Sequence, residues 1–261
     1  MRVLVIGKRS IIANYFKLKF KKKFQIKKIS FAQSKKISKN QINKFDWILN
    51  CAFKKNTNNL RNNPDLLILN KIKNTTTKYI MMSTSKVYGP KKLKIFNEET
   101  KCTPRSSYGR IRLNTEKKLL KSINDRVLIL RLSNVIIYNP KNSKNNFNTI
   151  DQMIYNLKNY GHILLPKNNI IKDFITLDFL TKNIFILIKK KKVGIYNVGS
   201  SIKLSLEQLA KIIIKRFGKG RIVKKDYQTD SFLLSNKKLV GITKIKINKK
   251  DIINSINNLK I

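Results

Sequence analysis

A chain of 261 residues, 41% of them hydrophobic, can bury the core of one large α/β domain, or of one such domain with a small appended lobe. Its 58 Lys and Arg against 13 Asp and Glu give a formal net charge of +45, which invites a nucleic-acid partner, but the lysines run among Asn and Ile along the whole chain instead of gathering on one tail or helix face. All three residue types have A/T-rich codons, so genomic bias accounts for the surplus and a nucleic-acid binder is disfavoured, while two unrelated cysteines, Cys51 and Cys102, exclude a disulfide framework or a metal-ligand spacing.

The first predicted element is a strand over residues 2–6. Its apolar run stops at Gly7-Lys8-Arg9, too short for a secretory leader. The turn Gly7-Lys8-Arg9-Ser10-Ile11-Ile12-Ala13 leads into a helix predicted over 10–18, with a small residue at each third position. Strand, tight turn and helix in that order are what a dinucleotide pyrophosphate requires. Gly7 permits the turn, Ser10 lets the backbone approach the phosphates, and Ala13 lets the helix pack closely on the strand. The helix N-terminus then offers N–H groups to the anion. Gly7, Arg9, Ser10 and Ile11 are therefore the expected cofactor contacts, with Ser10 and Ala13 standing where the usual fingerprint has glycine.

A second strand is predicted over 24–30. An NAD site normally carries an acidic residue at the end of this strand, but no Asp or Glu occurs before Asp46. Ser30 stands there instead, among Lys27, Lys28, Lys35 and Lys36. Cations and a hydroxyl suit a ribose 2′-phosphate, so NADP(H) is favoured over NAD(H). A third strand over 46–50 puts Trp47 in the core and ends in Asn50-Cys51-Ala52. Residues 56–63 and 139–148 are polar and turn-rich, and are read as loops. Further strands are expected over 78–83 and 126–132, and helices over about 59–73, 107–121, 147–158, 179–189 and 206–216. Asp178 is expected to cap the helix from 179, and Ser205 with Gln208 forms a capping box for the last. The apolar run 184–188 is cut off by four lysines, far short of a membrane span, and a cytoplasmic protein without membrane contact follows. His162, the one histidine, is read as non-catalytic. The strands are almost all apolar, as in a sheet covered on both faces, and the fold class is α/β.

Five segments then carry a resemblance. Ser83-Thr84-Ser85-Lys86-Val87-Tyr88-Gly89, Pro104-Arg105-Ser106-Ser107-Tyr108-Gly109-Arg110-Ile111-Arg112, Leu130-Arg131-Leu132-Ser133-Asn134-Val135, Lys172-Asp173-Phe174-Ile175-Thr176-Leu177-Asp178 and Gly194-Ile195-Tyr196-Asn197-Val198-Gly199 follow one another in the order and rough spacing of the extended short-chain dehydrogenases. More narrowly, the chain resembles the NAD-dependent epimerase/dehydratase branch that modifies nucleotide-linked sugars. The resemblance implies a Rossmann-type doubly wound parallel sheet, with residues 1–136 as the dinucleotide core and 137–261 as a substrate lobe, about 172–200 returning to the sheet. It implies Tyr108 as acid/base, Thr84 as its hydrogen-bonding partner, and residue 112 as the cation that lowers the tyrosine's pKa from one helical turn away. That residue is Arg112 where the family has Lys, and it also takes the lysine's place on the nicotinamide ribose. Asn50, Cys51 and Ala52 are implied to line the cofactor, Ser85 and Asn134 to meet the substrate, and the segment 230–239 to line its pocket. A homodimer through the helices after Asn59 and around Tyr108 is implied as well.

The reaction stays open between reductase and epimerase. Sugar 4,6-dehydratases of this family carry an Asp-Glu pair after the threonine, and dTDP-4-dehydrorhamnose reductases an Asp-Tyr pair. Ser85-Lys86 matches neither and disfavours the elimination of water. The stretch from Ser30 to Asp46 is compressed and is expected to lack a strand. The leading expectation is an NAD(P)-dependent oxidoreductase or epimerase of a nucleotide sugar, serving surface-polysaccharide synthesis. The alternative is a dinucleotide-binding scaffold or sensor of the same fold, impaired by Arg112.

Overall fold

The computed structural model describes residues 1–52, 63–89, 95–139 and 148–259. Its first half alternates β1 (Arg2–Ile6), α1 (Ile11–Phe20), β2 (Gln25–Ile29), α2 (Phe31–Lys36), α3 (Lys39–Ile42), β3 (Trp47–Asn50), α4 (Pro64–Ile72) and β4 (Lys78–Thr84). A 3₁₀ turn (Ser85–Val87), β5 (Ile95–Phe96), α5 (Ser107–Ile123), β6 (Val127–Leu132) and β7 (Asn134–Ile136) follow. The second half holds α6 (Thr149–Tyr160), β8 (His162–Pro166), β9 (Ile171–Lys172), β10 (Phe174–Thr176), α7 (Leu177–Lys189), β11 (Gly194–Val198), β12 (Leu204–Ser205), α8 (Leu206–Phe217), β13 (Arg221–Lys225), β14 (Leu233–Leu234), α9 (Lys237–Thr243) and α10 (Lys249–Asn257).

Six parallel strands form the main sheet in the order β11-β6-β4-β3-β1-β2. After β1 the chain first adds β2 on one side and then crosses to β3 on the other, so the order reverses beside β1. Ligands of such sheets bind in the crevice at that reversal, outside the carboxyl ends of the strands. The central strands are apolar on both faces because both are covered. Val3 and Val5 meet Phe16, Phe20, Ile184 and Leu187 of α1 and α7 on one side. Leu4 and Ile48 meet Ile68 and Ile72 of α4 and Leu119 of α5 on the other. Trp47 is 1% exposed, within the first of these cores. A separate core gathers α6, α8 and α10 around Phe174 and Leu204.

The expected strands lie within a residue of the observed ones, and the helices within a few at each end. The predicted helix over 59–73 is described from Pro64, capped by Asn63, and 59–62 lie outside the described residues. The loop expected over 139–148 also lies largely outside them, as does Phe147. Two details differ, at β2 and at the cap of α7, while the compressed stretch after Ser30 lacks a strand as expected. β2 is not covered on both faces: Gln25 and Lys27 are exposed while Ile29 is buried, because this strand is the sheet's edge. Residues 30–46 form no strand; they fold as α2 and α3, opened by the capping boxes Ser30–Gln33 and Ser38–Gln41. The cap of α7 is Thr176, whose Oγ1 accepts from the Phe179 N–H at 3.0 Å, and Asp178 instead pairs with Lys182 at 2.7 Å and with Lys19. The Ser205–Gln208 capping box of α8 is present. Among the described residues no helix is long and apolar enough to cross a membrane.

Candidate active site

The turn after β1 folds tightly onto the end of β3. Gly7 has φ +115°, and a Cβ there would lie 2.9 Å from the Cys51 carbonyl carbon and 3.0 Å from the Ala52 nitrogen. Only glycine meets both conditions without displacing backbone. Ser10 caps α1, its Oγ accepting from the Ala13 N–H at 3.4 Å. Its hydroxyl also meets the Cys51 thiol, which burial pushes up to about 12 against that bond, so Cys51 is an inert wall and not a nucleophile. Arg9 is exposed and Ile11 half-buried at the start of α1. Asn50 is buried: its Oδ1 accepts from the Ala52 N–H at 3.0 Å and its Nδ2 donates to Asp65 and to Tyr79, each at 2.9 Å. Its side chain therefore builds the turn from behind. At the end of β2, the Ser30 oxygen is used on the Gln33 N–H at 3.1 Å, Lys28 donates to Asn14, and the Lys35 ammonium lies 5.2 Å from the Phe31 ring centre.

Thr84 ends β4 and caps the 3₁₀ turn, accepting from the Lys86 N–H at 3.3 Å. Tyr108 enters from the first turn of α5, which Ser106 caps. Gly109 makes the approach possible, since a Cβ there would lie 2.5 Å from the Lys86 carbonyl oxygen. The Tyr108 phenol and the Thr84 hydroxyl share a hydrogen bond. Contrary to the sequence expectation, the phenol stands above its ordinary pKa. Burial is the largest cause, and the pull of Arg112 and the Thr84 bond do not overcome it, while Asp65 pushes the same way as burial.

Arg112 still pulls the phenol down, but by less than burial lifts it. It does sit one turn beyond Tyr108 on α5, but it is 4% exposed and reaches inward. Its Nη1 donates to Asp65 Oδ2 at 2.7 Å and its Nη2 to the Met82 carbonyl. Asp65, 1% exposed, also accepts from the Tyr79 hydroxyl at 2.7 Å. The charge expected to acidify Tyr108 is thus paired with a buried carboxylate, which pushes the phenol up while Arg112 still pulls it down. Breaking such a pair from one side typically costs about 3–5 kcal/mol, because the other charge is left buried alone.

A second buried network joins the polar residues of the remaining motifs. Arg131 donates to Glu116 at 2.8 Å and to the Tyr88 hydroxyl at 3.1 Å, Ser83 donates to Glu116, and Tyr88 donates to Asn197 at 2.7 Å. These side chains lock β4, β6, β11 and α5 together below the strand ends. Burial lifts Tyr88 to about 12, so it remains a neutral structural phenol. Asn134 donates from Nδ2 to the Asp173 carbonyl at 2.9 Å, tying β7 to the turn before β10.

Beside Thr84 a cleft of about 390 Å³ opens, lined by Ser85, Lys86, Arg105, Ser106, Lys172 and Phe232, with Thr229 and Asp230 at its wall. Lys172 donates to Thr229 at 2.9 Å and is lowered to about 8, first by burial and then by the charge of Lys86. A larger hollow of about 850 Å³ lies between α1, the start of α7 and α10, and shares only Ile11 with the expected site. Among the described residues no cluster of His, Cys, Asp or Glu could hold a metal ion. The structure thus brings Thr84, Ser85, Tyr108 and Arg112 together and sets Gly7, Ser10, Cys51 and Ala52 at the neighbouring strand ends. Asp65, Glu116 and Lys172 were missed by sequence reasoning; Lys172 alone carried a signal, standing first in the Lys172–Asp178 motif.

A family model described as GDP-mannose 4,6 dehydratase matches residues 56–257. No curated protein matches the chain by sequence. Among solved structures, UDP-N-acetylglucosamine 4-epimerase from Methanobrevibacter ruminantium M1, in complex with UDP-N-acetylmuramic acid, superposes with a TM-score of 0.83 at 16% identity over 98% of this chain and 96% of that one. The dTDP-glucose 4,6-dehydratase of Bacillus anthracis str. Ames, in complex with NAD, gives 0.80 at 17% identity over 98% and 94%. RMD from Pseudomonas aeruginosa, complexed with NADPH, gives 0.77 at 16% identity over 98% and 97%.

Proposed function

Because the chain belongs to the GDP-mannose 4,6 dehydratase family of extended short-chain dehydrogenases, we propose that it is an NAD(P)-dependent reductase or epimerase of a nucleotide-linked sugar, with Tyr108 as its proton-transfer group. The observation that carries this reading is the Thr84–Tyr108 hydrogen bond at the carboxyl ends of the strands, next to the Gly7 turn. The residues present fit a dinucleotide. The backbone cradle at Gly7 has no room for a Cβ, and the N-terminus of α1 opens onto it, as a pyrophosphate needs. When bound, the nicotinamide supplies or accepts a hydride.

Thr84 then orients the reacting sugar oxygen, and Tyr108 Oη holds the proton that oxygen gains or loses. A buried phenol above its ordinary pKa is protonated at neutral pH, which suits donation to a carbonyl and hence the reductive direction. Lys86, Arg105 and Lys172 give the cleft beside Thr84 a cationic lining for the anionic part of a nucleotide sugar, next to Ser85. NADP(H) is favoured over NAD(H) because no acidic residue precedes Asp46 and lysines surround the end of β2. The division at residue 136, a homodimer through α4 and α5, and a role in surface-polysaccharide synthesis belong to the same proposal. So do Arg9, Ile11 and Asn134 as ligand contacts.

The test is a titration of NADPH and NADH into the protein at moderate salt, followed by nicotinamide fluorescence. Tight binding that prefers NADPH is expected, and it would be followed by a nucleotide-sugar turnover screen. Binding of neither dinucleotide would remove the enzyme reading. Binding without turnover across the screen would favour the scaffold reading, to which the buried commitment of Arg112 lends support.

A further inference from the structure

We propose that Asp65 is a positioning residue of this site: its buried ion pair clamps the Arg112 guanidinium between α4 and β4 and offsets the positive charge that Arg112 presents to Tyr108. The inference rests on the reading of Tyr108 as the proton-transfer group.

Four observations carry it. Asp65 lies in the first turn of α4, and three elements fix its carboxylate. Oδ1 accepts from Asn50 at the end of β3 at 2.9 Å and from Tyr79 on β4 at 2.7 Å, and Oδ2 accepts from Arg112 on α5 at 2.7 Å. The backbone of Asp65 is held too, its N–H donating to the cap residue Asn63 at 3.0 Å, while Asn63 Nδ2 donates to Thr115 on α5 at 2.7 Å. Second, the other arm of the guanidinium meets the Met82 carbonyl, two residues before Thr84 on the same strand. Arg112 therefore spans the helix that precedes the site and the strand that bears Thr84. Third, the two contacts are made by separate guanidinium nitrogens, Nη1 and Nη2, whereas an ammonium donates all its hydrogen bonds from one nitrogen, so this clamp uses what distinguishes Arg from Lys.

Fourth, the ionisable groups facing Tyr108 are Arg112 from its own helix and Asp65 from α4, and they act in opposite senses. Those facing Asp65 are Arg112 from α5 and Tyr79 from β4. A lone guanidinium one turn from a phenol stabilises the phenolate. Paired with a carboxylate at contact distance, its field at the phenol is partly offset. The replacement of Lys by Arg at 112 is thus read together with Asp65 as one unit.

The test reads Tyr108 directly. Protein labelled with ¹³Cζ-tyrosine is titrated by NMR, the Tyr108 signal being assigned by its absence in Tyr108→Phe. Wild type is expected to titrate above the ordinary tyrosine value of about 10. Asp65→Asn is expected to lower the Tyr108 midpoint by about one pH unit, Arg112→Gln to raise it, and the double variant to return it toward wild type. An Asp65→Asn midpoint that stays in place or rises overturns the proposal. If Asp65→Asn alone does not fold, the double variant decides. Recovery of cooperative unfolding when both charges are gone supports the pairing, and persistent unfolding overturns it. No arm uses substrate or dinucleotide. Failure of NADPH to bind would therefore sink the proposed function without touching these titrations, and an unmoved midpoint would sink this inference while dinucleotide binding stood.

Discussion

Tyr108 holds its proton against two groups that pull it away, Arg112 and Thr84, because burial outweighs both. At this scale the expected outcome is specific. Tyr108→Phe keeps the ring and the packing but removes the proton, so turnover should fall by roughly 10²–10⁴-fold while NADPH affinity changes little. The sign of the pH dependence follows from the raised value. Reduction needs the protonated phenol, so the rate should hold through neutral pH and fall only as pH passes above the ordinary tyrosine range of about 10. Steady-state rates across pH for wild type check both points, and an acid-side loss would assign the proton to another group. Tyr108 and Thr84 were readable in sequence because each lies in a short stretch whose residue types announce the chemistry. Asp65 was not, since its partner Arg112 is 47 residues away and nothing local marks a carboxylate for burial. The charge on Arg112 was readable, but where that charge is spent depends on α4 meeting α5.

Between elements, one buried link is Asp173, in the turn between β9 and β10. Fully buried, it accepts from the Ser200 N–H and Oγ at 2.8 Å, from the Leu234 N–H at 2.9 Å and from the Ser201 N–H at 3.3 Å, joining the loop after β11 to β14. Burial raises its pKa to about 6 despite those bonds. The folded state then holds the proton more tightly than the unfolded chain. This contribution to stability is whole below about pH 4 and is lost as pH rises through about 6. Relative to Asp173→Asn, which cannot titrate, wild type should lose about 2 kcal/mol of unfolding free energy between pH 4 and pH 7. Denaturant melts at each pH measure it, and parallel curves would refute it. The elements themselves were legible where a covered strand makes an unbroken apolar run, as at Leu4, Ile48 and Leu128. Residues 30–46 were legible only as a missing strand, because helices of one turn or so carry no hydrophobic period, and their two capping boxes were the overlooked signal. Thr176 took the cap of α7 from Asp178 because the helix starts two residues earlier than its apolar period.

For the whole molecule, the +45 charge acts on approach more than on contact. A net cationic field draws anions to the surface, so if the proposed dinucleotide site is used, the association rate of NADPH should drop about tenfold or more between low and half-molar salt. Stopped-flow fluorescence at the two salts measures this, and a flat rate would show that the charge is incidental to binding. The field has a second consequence at β2. Among the described residues no strand lies beyond β2, which leaves one row of its backbone donors and acceptors at the open rim of the sheet. Such a rim is a template on which another copy's strand can zip. Lys27 stands exposed on it, with Lys28 alongside and Lys21, Lys22 and Lys23 just ahead, so an approaching copy brings like charge toward like charge. Lysine on an edge is how natural sheets refuse that docking. The shortened sheet and the basic composition are thus linked: mutual repulsion closes an open margin that a missing strand would otherwise leave sticky, and polyanions, by neutralising it, would be the agents that unmask it.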